Sequence, residues 1–336
     1  MVIPMGVTIK DIAKAGDFSV TAVSRALSGK DGVSEETRRK IKEIAMDLGY
    51  LPNAAARSLR TKSTKTIGVI VEDITKPYSG KMVKGIDDTA IAHGYNILMC
   101  NTNQDPEQEI RAIKLLLEKS VDGVVLHPSQ LTEKGIHMLQ KSEIPFINVG
   151  RRFLNIKTDY VIINNREGIK TIFNYLISKG CRNILFFNSP LFSSAAYDRM
   201  EGYKEALAAN GLEYKEHMVK IVPSTFQAGY LAMGEILAQG ITFDCALCGR
   251  DMIAVGVMEA LLEHGFRIPD DVCLTGYDDL DFMIHLKVPL TTMRQPVYEM
   301  GMKAVEILIE RIESKSQKSA FEEVILTPQL IVRNSA

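Results

Sequence analysis

The sequence contains no tryptophan and only five cysteines, an odd number scattered along the chain. A disulfide framework needs paired cysteines and an oxidising compartment, so this distribution favours a reducing one. No apolar run approaches the roughly 18 residues that a membrane span requires. The amino terminus also lacks the basic start and the apolar stretch of a secretory signal. These absences predict a cytoplasmic protein.

Motifs of catalysis are also missing. There is no phosphate-binding or dinucleotide-binding glycine loop, no His-Glu-x-x-His and no Gly-x-Ser-x-Gly. The six histidines lie apart with no ligand spacing. Cys245 and Cys248 have CxxC spacing, but they fall in a predicted strand, where positions three apart point to opposite faces. We therefore predict core cysteines, no metal, no cofactor and no enzymatic activity.

Charge is distributed unevenly over the 336 residues. Positions 1–65 hold 12 Lys and Arg against 7 Asp and Glu, a balance of +5, whereas the remainder holds 28 against 34, a balance of −6. A small basic head on a mildly acidic body indicates that the head meets a polyanion, although a basic surface can also be merely solvated.

Three short helices are predicted in this basic head. Thr8 and Asp11 have the spacing of a helix start, and Gly16-Asp17 tolerates the backbone that ends a helix and turns the chain. Ser19 can cap a second helix and Ser34 a third. Two short helices joined by a tight turn and braced by a third form a helix-turn-helix unit, whose second helix fits the major groove of DNA.

The predicted second helix has distinct faces. Val23, Ala26 and Leu27 form its inward stripe. The outward positions are Val20, Thr21, Ser24, Arg25 and Ser28. Hydroxyls suit phosphate oxygens and base edges, and an arginine can contact guanine with two hydrogen bonds. The alternative is a three-helix bundle whose polar face binds nothing.

The head contains several ordered motifs: Thr8-Ile9-Lys10-Asp11-Ile12-Ala13, Ser19, Val23-Ser24-Arg25 and Gly49-Tyr50-Leu51-Pro52-Asn53-Ala54-Ala55-Ala56-Arg57. Together they resemble the DNA-binding head of the lactose-repressor (LacI) family of bacterial transcription regulators. The turn Gly16-Asp17-Phe18-Ser19 departs from the Ala-Gly-Val-Ser or Ala-Asn-Val-Ser that is usual in the family.

The resemblance implies roles for ten head residues. Val20, Thr21 and Arg25 would read bases, and phosphates would be held by Thr8, Ser19, Ser24 and Ser28. Asn53 to Leu59 would form a hinge helix, with Leu59 wedged into the minor groove and Ala56 beside it. Such an apolar wedge opens a base step and bends the duplex. Leu59 could instead be an ordinary linker residue.

From Thr66 onward short apolar strands alternate with helices, and the same rhythm restarts at Tyr160. This pattern predicts an α/β fold with two lobes, each built on a doubly wound parallel sheet. Ligands of such sheets bind beyond the carboxyl ends of the strands, in the cleft between the lobes. The candidate effector-binding residues there are Asp73, Tyr78, Arg151, Arg199, Phe226, Arg250 and Asp278. This mixture suits a small hydroxylated molecule, although any one of them could be a surface or salt-bridge residue.

The body also resembles the LacI family, whose core has the two-lobed fold of periplasmic binding proteins. The matching segments are Asp73-Ile74-Thr75-Lys76-Pro77-Tyr78, Val121-Asp122-Gly123, Arg199-Met200-Glu201-Gly202-Tyr203, Gly276-Tyr277-Asp278-Asp279 and Pro289-Leu290-Thr291-Thr292. The resemblance points to Arg199 and Asp278 as effector contacts, with Tyr78 and Phe226 as an aromatic wall.

Arg250 departs from the asparagine that is usual in the family. Because guanidinium offers only donors and a fixed positive charge, the effector is expected to carry an acid group, paired with Arg250 and with Arg199 as a further partner. The alternative is that Arg250 pairs with a nearby carboxylate such as Asp251 or Asp278.

The expected domains are a helix-turn-helix head at 1–52, a hinge helix and linker at 53–65, and an effector-binding and dimerisation core at 66–336. Within the core we expect a first lobe at about 66–159 and 290–320, and a second at about 160–289 and 321–336. The function indicated is a homodimeric, sequence-specific regulator of transcription, expected to repress genes of carbohydrate metabolism from a near-palindromic operator. Its effector would be a sugar, a sugar acid or a sugar phosphate. The alternative is a transport-type binding protein of the same two-lobed fold.

Overall fold

A computed structural model of the chain describes residues 7–50, 63–314 and 320–336. The chain divides into two compact units, a head that ends at Thr64 and a core that begins at Lys65. The predicted hinge contacts Asn53, Ala56 and Leu59 lie outside the described residues.

The head contains the three predicted helices: α1 (Ile9–Gly16), α2 (Val20–Leu27) and α3 (Glu35–Asp47). Their inward stripes meet in one small apolar core formed by Ile12, Ala13, Val23, Ala26, Ile41 and Ala45. All six side chains are buried, so the spacing of apolar residues correctly predicted which face of α2 turns inward.

The helix ends are made by the predicted residues. The Asp11 carboxylate accepts hydrogen bonds from the backbone N–H and the hydroxyl of Thr8, at 2.8 and 2.7 Å. Asp17 ends α1 in the left-handed conformation, with φ 53°. Ser19 and Ser34 each accept a hydrogen bond from the backbone N–H three residues further on. These caps satisfy backbone donors that a helix start leaves without intrahelical partners.

The first lobe of the core is built on a six-stranded sheet in the order β11-β5-β4-β3-β1-β2. Its strands, β1 to β5 and β11, are Thr66–Val71, Asn96–Asn101, Gly123–Leu126, Phe146–Val149, Asp159–Ile163 and Glu323–Leu326, all paired in parallel. Its helices are α4 (Pro77–Ala92), α5 (Pro106–Glu118), α6 (Lys134–Ser142) and α11 (Val297–Glu313). Apolar residues of α4 and α11 bury one face of the sheet.

The second lobe has a six-stranded sheet in the order β12-β10-β9-β8-β6-β7. Its strands, β6 to β10 and β12, are Ile184–Asn188, Val219–Ile221, Cys245–Cys248, Cys273–Asp278, Thr291–Arg294 and Gln329–Ile331. The pairs are parallel except for β12, which runs antiparallel to β10. The helices are α7 (Asn165–Ser178), α8 (Ser194–Ala209), α9 (Phe226–Ala238) and α10 (Asp251–Glu263), with short 3₁₀ turns at Glu216–Met218 and Asp281–His285.

The predicted two-lobed α/β architecture is confirmed, but the lobe boundaries differ from the expectation. Strand β5, expected to open the second lobe, pairs with β4 in the first, and β11 pairs with β5 there too. Strand β10, expected in the first lobe, pairs with β9 in the second. The chain therefore crosses between the sheets after β5, after β10 and after β11. Periodicity identifies a strand but not its partner, and this explains the misplaced boundaries.

Cys245 and Cys248 lie in β8 with their side chains fully buried, as the sequence predicts for core cysteines. Within the described residues, no helix is both long and apolar enough to span a membrane.

Candidate DNA-binding surface and ligand cleft

The outward face of α2 presents the predicted recognition residues. Val20 is 43% exposed, Thr21, Arg25 and Ser28 are also exposed, and Ser24 is half-buried beside the core residue Val23. With the apolar stripe of α2 turned inward, this face is available to the edges of base pairs in a major groove.

The hydroxyls predicted to hold phosphates differ in their internal hydrogen bonds. Ser19 accepts from the backbone N–H of Ala22, so its own proton can still be donated to a phosphate. Thr8 and Ser28 instead donate, Thr8 to Asp11 at 2.7 Å and Ser28 to the Ser24 carbonyl at 2.6 Å. Donation to phosphate from those two residues requires these internal bonds to be exchanged.

Arg38 supports the recognition helix and was not singled out by the sequence. Its Nη1 donates to the carbonyl of Ala26 at 3.2 Å and its Nη2 to that of Lys30 at 3.0 Å. These bonds satisfy carbonyls at the end of α2 and in the following loop. In that loop Gly32 has φ 94°, and a Cβ there would lie 2.9 Å from Nη1 of Arg25. A larger residue would both strain the loop and displace Arg25.

In the core, the first lobe places a buried carboxylate among cations at the carboxyl end of its sheet. Glu72 follows β1 and pairs with Arg151, which follows β4, and its other oxygen accepts from Lys76 at 2.9 Å. Burial alone would raise the pKa of Glu72, but Arg151 and Lys76 outweigh it and hold that pKa well below its usual range.

Arg151 is held on several sides. Its Nη1 donates to the carbonyls of Pro128 and Ser129, at 2.7 and 3.1 Å, while Nη2 reaches Glu72. A guanidinium engaged with a carboxylate and two carbonyls fixes the loop after β3. Arg151, predicted as an effector contact, therefore also positions this wall of the cleft.

His127, at the end of β3, is a second buried group that the sequence did not indicate. Burial lowers its pKa to about 3, with Arg151, Lys76 and Arg250 adding to the effect of burial. The imidazole is therefore neutral at physiological pH, and its Nδ1 has no protein partner. Its ring lies 6.1 Å from that of Tyr78, whose own pKa burial raises to about 12.

Across the cleft, the second lobe contributes an ion pair. Arg250 immediately precedes α10, and its Nη1 lies 2.8 Å from Oδ1 of Asp278 at the end of β9. Gln295 donates to the same oxygen from Nε2 at 2.6 Å. This pairing is the alternative that the sequence had left open for Arg250. Asp278 also has φ 149°, a strained conformation of the kind that clusters at functional sites.

Asp251 lies behind this ion pair. Its carboxylate is fully buried and accepts from the Thr292 hydroxyl at 2.6 Å and from the Leu280 N–H at 2.9 Å. Burial, together with the nearby charge of Asp278, raises the pKa of Asp251 to about 7.

Arg199 on α8 is a buried cation that forms no ion pair with a carboxylate among the described residues. Only 1% of the residue is exposed, and Nη1 donates to the carbonyl of Gly249 at 2.9 Å. Its Nε and Nη2 have no protein partner, and its guanidinium carbon lies 5.2 Å from the Tyr277 ring centroid. Burial, and then the charge of Arg250, lower its pKa to about 9, so Arg199 remains charged at pH 7.

Three of the predicted effector residues lie together across the cleft, and two others contact residues of their own segments. Tyr78 of the first lobe lies 5.5 Å from the Arg250 guanidinium of the second, so these two and Asp278 form one connected set. Asp73 instead holds its own loop, accepting from the N–H and hydroxyl of Thr75. Phe226 begins α9 and stacks on Tyr230, with ring centroids 6.2 Å apart.

A helix-turn-helix head followed by a two-lobed core with a polar cleft is the architecture of a ligand-controlled DNA-binding regulator. Comparison with protein families agrees with this class. Residues 8–53 match the bacterial regulatory proteins of the lacI family, and residues 64–333 match the periplasmic binding proteins and sugar-binding domain of the LacI family. The chain belongs to the LacI family.

Curated relatives match over nearly the whole chain. The repressor PurR of Vibrio campbellii is 33% identical over 330 residues, which cover 98% of each chain. The regulator RegA of Clostridium saccharobutylicum is 32% identical and the ribose operon repressor of Haemophilus influenzae 31%, each over 98% of this chain and 98–99% of its own. All three are named as transcriptional repressors or regulators, in agreement with the prediction that this chain is not an enzyme.

Solved structures show the same fold. The transcriptional regulator CelR in complex with cellobiose is 28% identical with a TM-score of 0.75, over 98% of this chain and 100% of its own. The lac repressor dimer bound to operator and the anti-inducer ONPF is 23% identical with a TM-score of 0.90, over 98% of this chain and 99% of its own. The protein is accordingly a DNA-binding transcriptional regulator under the control of a small effector.

Proposed function

We propose that this regulator is a cytoplasmic repressor whose effector is a sugar-like molecule with one acidic group, a sugar acid or a sugar phosphate. The observation that carries the proposal is Arg199, a buried cation with two unused donors. Each of the other cleft cations has a carboxylate partner: Arg151 and Lys76 both contact Glu72, and Arg250 pairs with Asp278.

A buried charge without a partner is costly, and a bound anion removes that cost. Within the described part of the chain, Arg199 takes part in no ion pair, so the anion is expected to come from the ligand. We therefore expect the acid group to bind Arg199, because Arg250, the partner first expected from the sequence, already pairs with Asp278.

Neutral polar atoms in both lobes are also available. Among the described residues, the Tyr277 hydroxyl, His127 Nδ1, and the hydroxyls of Ser79 and Ser129 are buried without protein partners. Such atoms suit the hydroxyls of a sugar, which donate and accept. A ribose operon repressor and a cellobiose complex among the relatives support the sugar part of the proposal.

Calorimetry with matched acidic and neutral sugars tests the proposal. We expect D-gluconate, D-glucose 6-phosphate or D-ribose 5-phosphate to bind at least tenfold more tightly than D-glucose or D-ribose. The variant Arg199→Met should lose this preference. Arg166→Met is the matched control, because Arg166 is an exposed arginine of the same lobe that pairs with Glu205. Tight binding of a neutral sugar with no binding of any acid would reject the proposal.

For DNA we propose that Val20, Thr21 and Arg25 read bases and that Thr8, Ser19, Ser24 and Ser28 hold phosphates of a near-palindromic operator. Asn53, Ala56 and Leu59 are proposed to contact the minor groove. The support is the outward face of α2, together with the match of residues 8–53 to the family.

Arg25→Ala is the sharpest test of base reading. After binding sites have been selected from genomic DNA fragments, this variant should lose about 1–3 kcal/mol of specific binding and tolerate other bases at one position of each half-site. Lys42→Ala, on the exposed side of α3, is the control and should not change which bases are preferred. Unchanged base preference in the Arg25 variant would contradict the assignment.

A further inference from the structure

The two lobes are joined by an ion pair at one side of the cleft. Arg152 follows β4 of the first lobe, and Asp198 lies on α8 of the second. The guanidinium binds the carboxylate through two hydrogen bonds, Nη1 to Oδ2 at 2.6 Å and Nη2 to Oδ1 at 3.1 Å. The side chains are only 23% and 13% exposed, so solvent screens this pair less than an ordinary surface pair.

Further hydrogen bonds connect the same segments. The Arg152 N–H donates to the Ser194 hydroxyl at 3.1 Å, and the Ser194 N–H donates to Oε1 of Gln130 at 2.8 Å. Gln130, in the first lobe, donates from Nε2 back to the Arg152 carbonyl at 2.7 Å. These bonds and the ion pair form a connected network, so separation of the lobes at this point breaks its interlobe bonds together.

This network is independent of the groups that face the proposed ligand. Neither Arg152 nor Asp198 contacts the Arg250–Asp278 pair or Arg199 through any described hydrogen bond. One other ion pair crosses between the lobes among the described residues, Lys81 with Asp281, and its side chains are 42% and 85% exposed. The Arg152–Asp198 pair is therefore the more shielded of the two interlobe ion pairs in the described part of the chain.

We propose that Gln130, Arg152, Ser194 and Asp198 form an interlobe latch that holds the lobes closed without effector. The closed state is then already populated before the effector binds. An effector that prefers the closed state therefore spends less of its binding energy on closing the lobes. The latch goes beyond the proposed ligand class, because its action does not depend on which molecule fills the cleft.

The test measures the separation of the lobes in the full-length protein without any sugar. Spin labels introduced as noncanonical amino acids at Lys141 of the first lobe and Gln239 of the second, both exposed, report the distance by pulsed electron paramagnetic resonance. Dilution with an excess of unlabelled protein removes distances between subunits. The variants are Asp198→Arg, Asp198→Asn and the exchange Arg152→Asp/Asp198→Arg.

We expect Asp198→Arg and Asp198→Asn to lower the ratio of closed to open molecules by about tenfold, since each removes a charge-assisted pair. The exchange variant should restore a distance distribution close to that of the wild type. The matched control is Glu205→Arg, which reverses a charge on the same helix, α8, but within one lobe, where its partner is Arg166. This control should leave the distance unchanged.

The same experiment can overturn the proposal. Wild-type distances in both Asp198 variants would show that the pair does not hold the lobes, and so would a failure of the exchange variant to restore closure. If Asp198→Arg unfolds the protein, as judged by circular dichroism, the neutral Asp198→Asn variant tests the proposal in its place. Because no sugar is present, the outcome is separate from that of the ligand titrations.

Discussion

Replacement of Arg199 by methionine should stabilise the protein while it removes effector binding. Burial and the charge of Arg250 lower the pKa of Arg199 from 12.5 to about 9. At roughly 1.4 kcal/mol per pKa unit, this corresponds to a cost of about 4–5 kcal/mol for holding the charge in the folded state. Methionine is apolar and of comparable length, so it fills the same space without that cost.

The variant also loses a favourable contact. The hydrogen bond from Arg199 to the Gly249 carbonyl, as a bond from a charged group, contributes about 1.5–3 kcal/mol. The difference predicts a net gain of about 1–3 kcal/mol in the free energy of unfolding. A residue that costs stability in the free protein is expected where the charge serves a ligand.

Arg151→Met is the matched control, because Arg151 is also buried but is paired. Removal of this arginine leaves Glu72 as a buried carboxylate without its main partner, and this should cost about 3–5 kcal/mol. Urea denaturation at pH 7 measures both variants. If Arg199→Met destabilises the protein as much as Arg151→Met, then Arg199 is an ordinary structural arginine and the assignment of an anionic ligand fails.

Three further predictions follow from other contacts. Arg38→Met should destabilise the end of α2 by about 1–2 kcal/mol and speed hydrogen exchange of the amides of α2. Arg39→Met, at an exposed position, should not change this exchange. Equal exchange rates in the two variants would refute a capping role for Arg38. The pKa of Asp251 is raised from its ordinary value of 3.8 to about 7, so the folded protein favours the protonated carboxyl. The contribution of protonated Asp251 to the free energy of unfolding is therefore complete below the ordinary pKa of 3.8 and is lost as pH rises through about 7. Urea titrations should therefore show wild-type stability falling by about 1–3 kcal/mol from pH 5 to pH 8, with a smaller fall in Asp251→Asn; parallel curves would contradict this. Gln295→Met should change the affinity for the acidic sugar by less than about threefold but reduce the effect of this sugar on operator affinity. The reason is that Gln295 connects Asp278 to a segment that crosses between the lobes. If the sugar changes operator affinity in the variant as much as in the wild type, this connection plays no part in regulation.

The head could be predicted from sequence in detail because its signals are local. A capping residue and its partner lie three positions apart, and an apolar stripe repeats every three or four residues, so Thr8, Asp11, Ser19 and the inward Val23 and Ala26 are readable from a short window. The unusual turn at Asp17 also follows from local chemistry, because aspartate tolerates the left-handed conformation that it adopts there.

The cleft could be predicted only in part. Arg151, Arg199, Arg250 and Asp278 were found because they follow strands or match family motifs. Asp278 was considered as an alternative partner of Arg250, but Glu72 could not be predicted as the partner of Arg151. Glu72 lies 79 residues from Arg151, and no local pattern connects the two. Whether an arginine faces a ligand or a carboxylate depends on such distant contacts, and so does the sheet to which a strand such as β5 belongs.

We propose that an acidic ligand in the cleft of the core controls how the head binds DNA. The most direct measurement is fluorescence anisotropy of a labelled genomic fragment selected by the protein, titrated with and without the acidic sugar that binds in calorimetry. We predict at least a fivefold change in operator affinity for the wild type and none for Arg199→Met. An unchanged affinity in the wild type, or an equal change in the variant, would contradict the account.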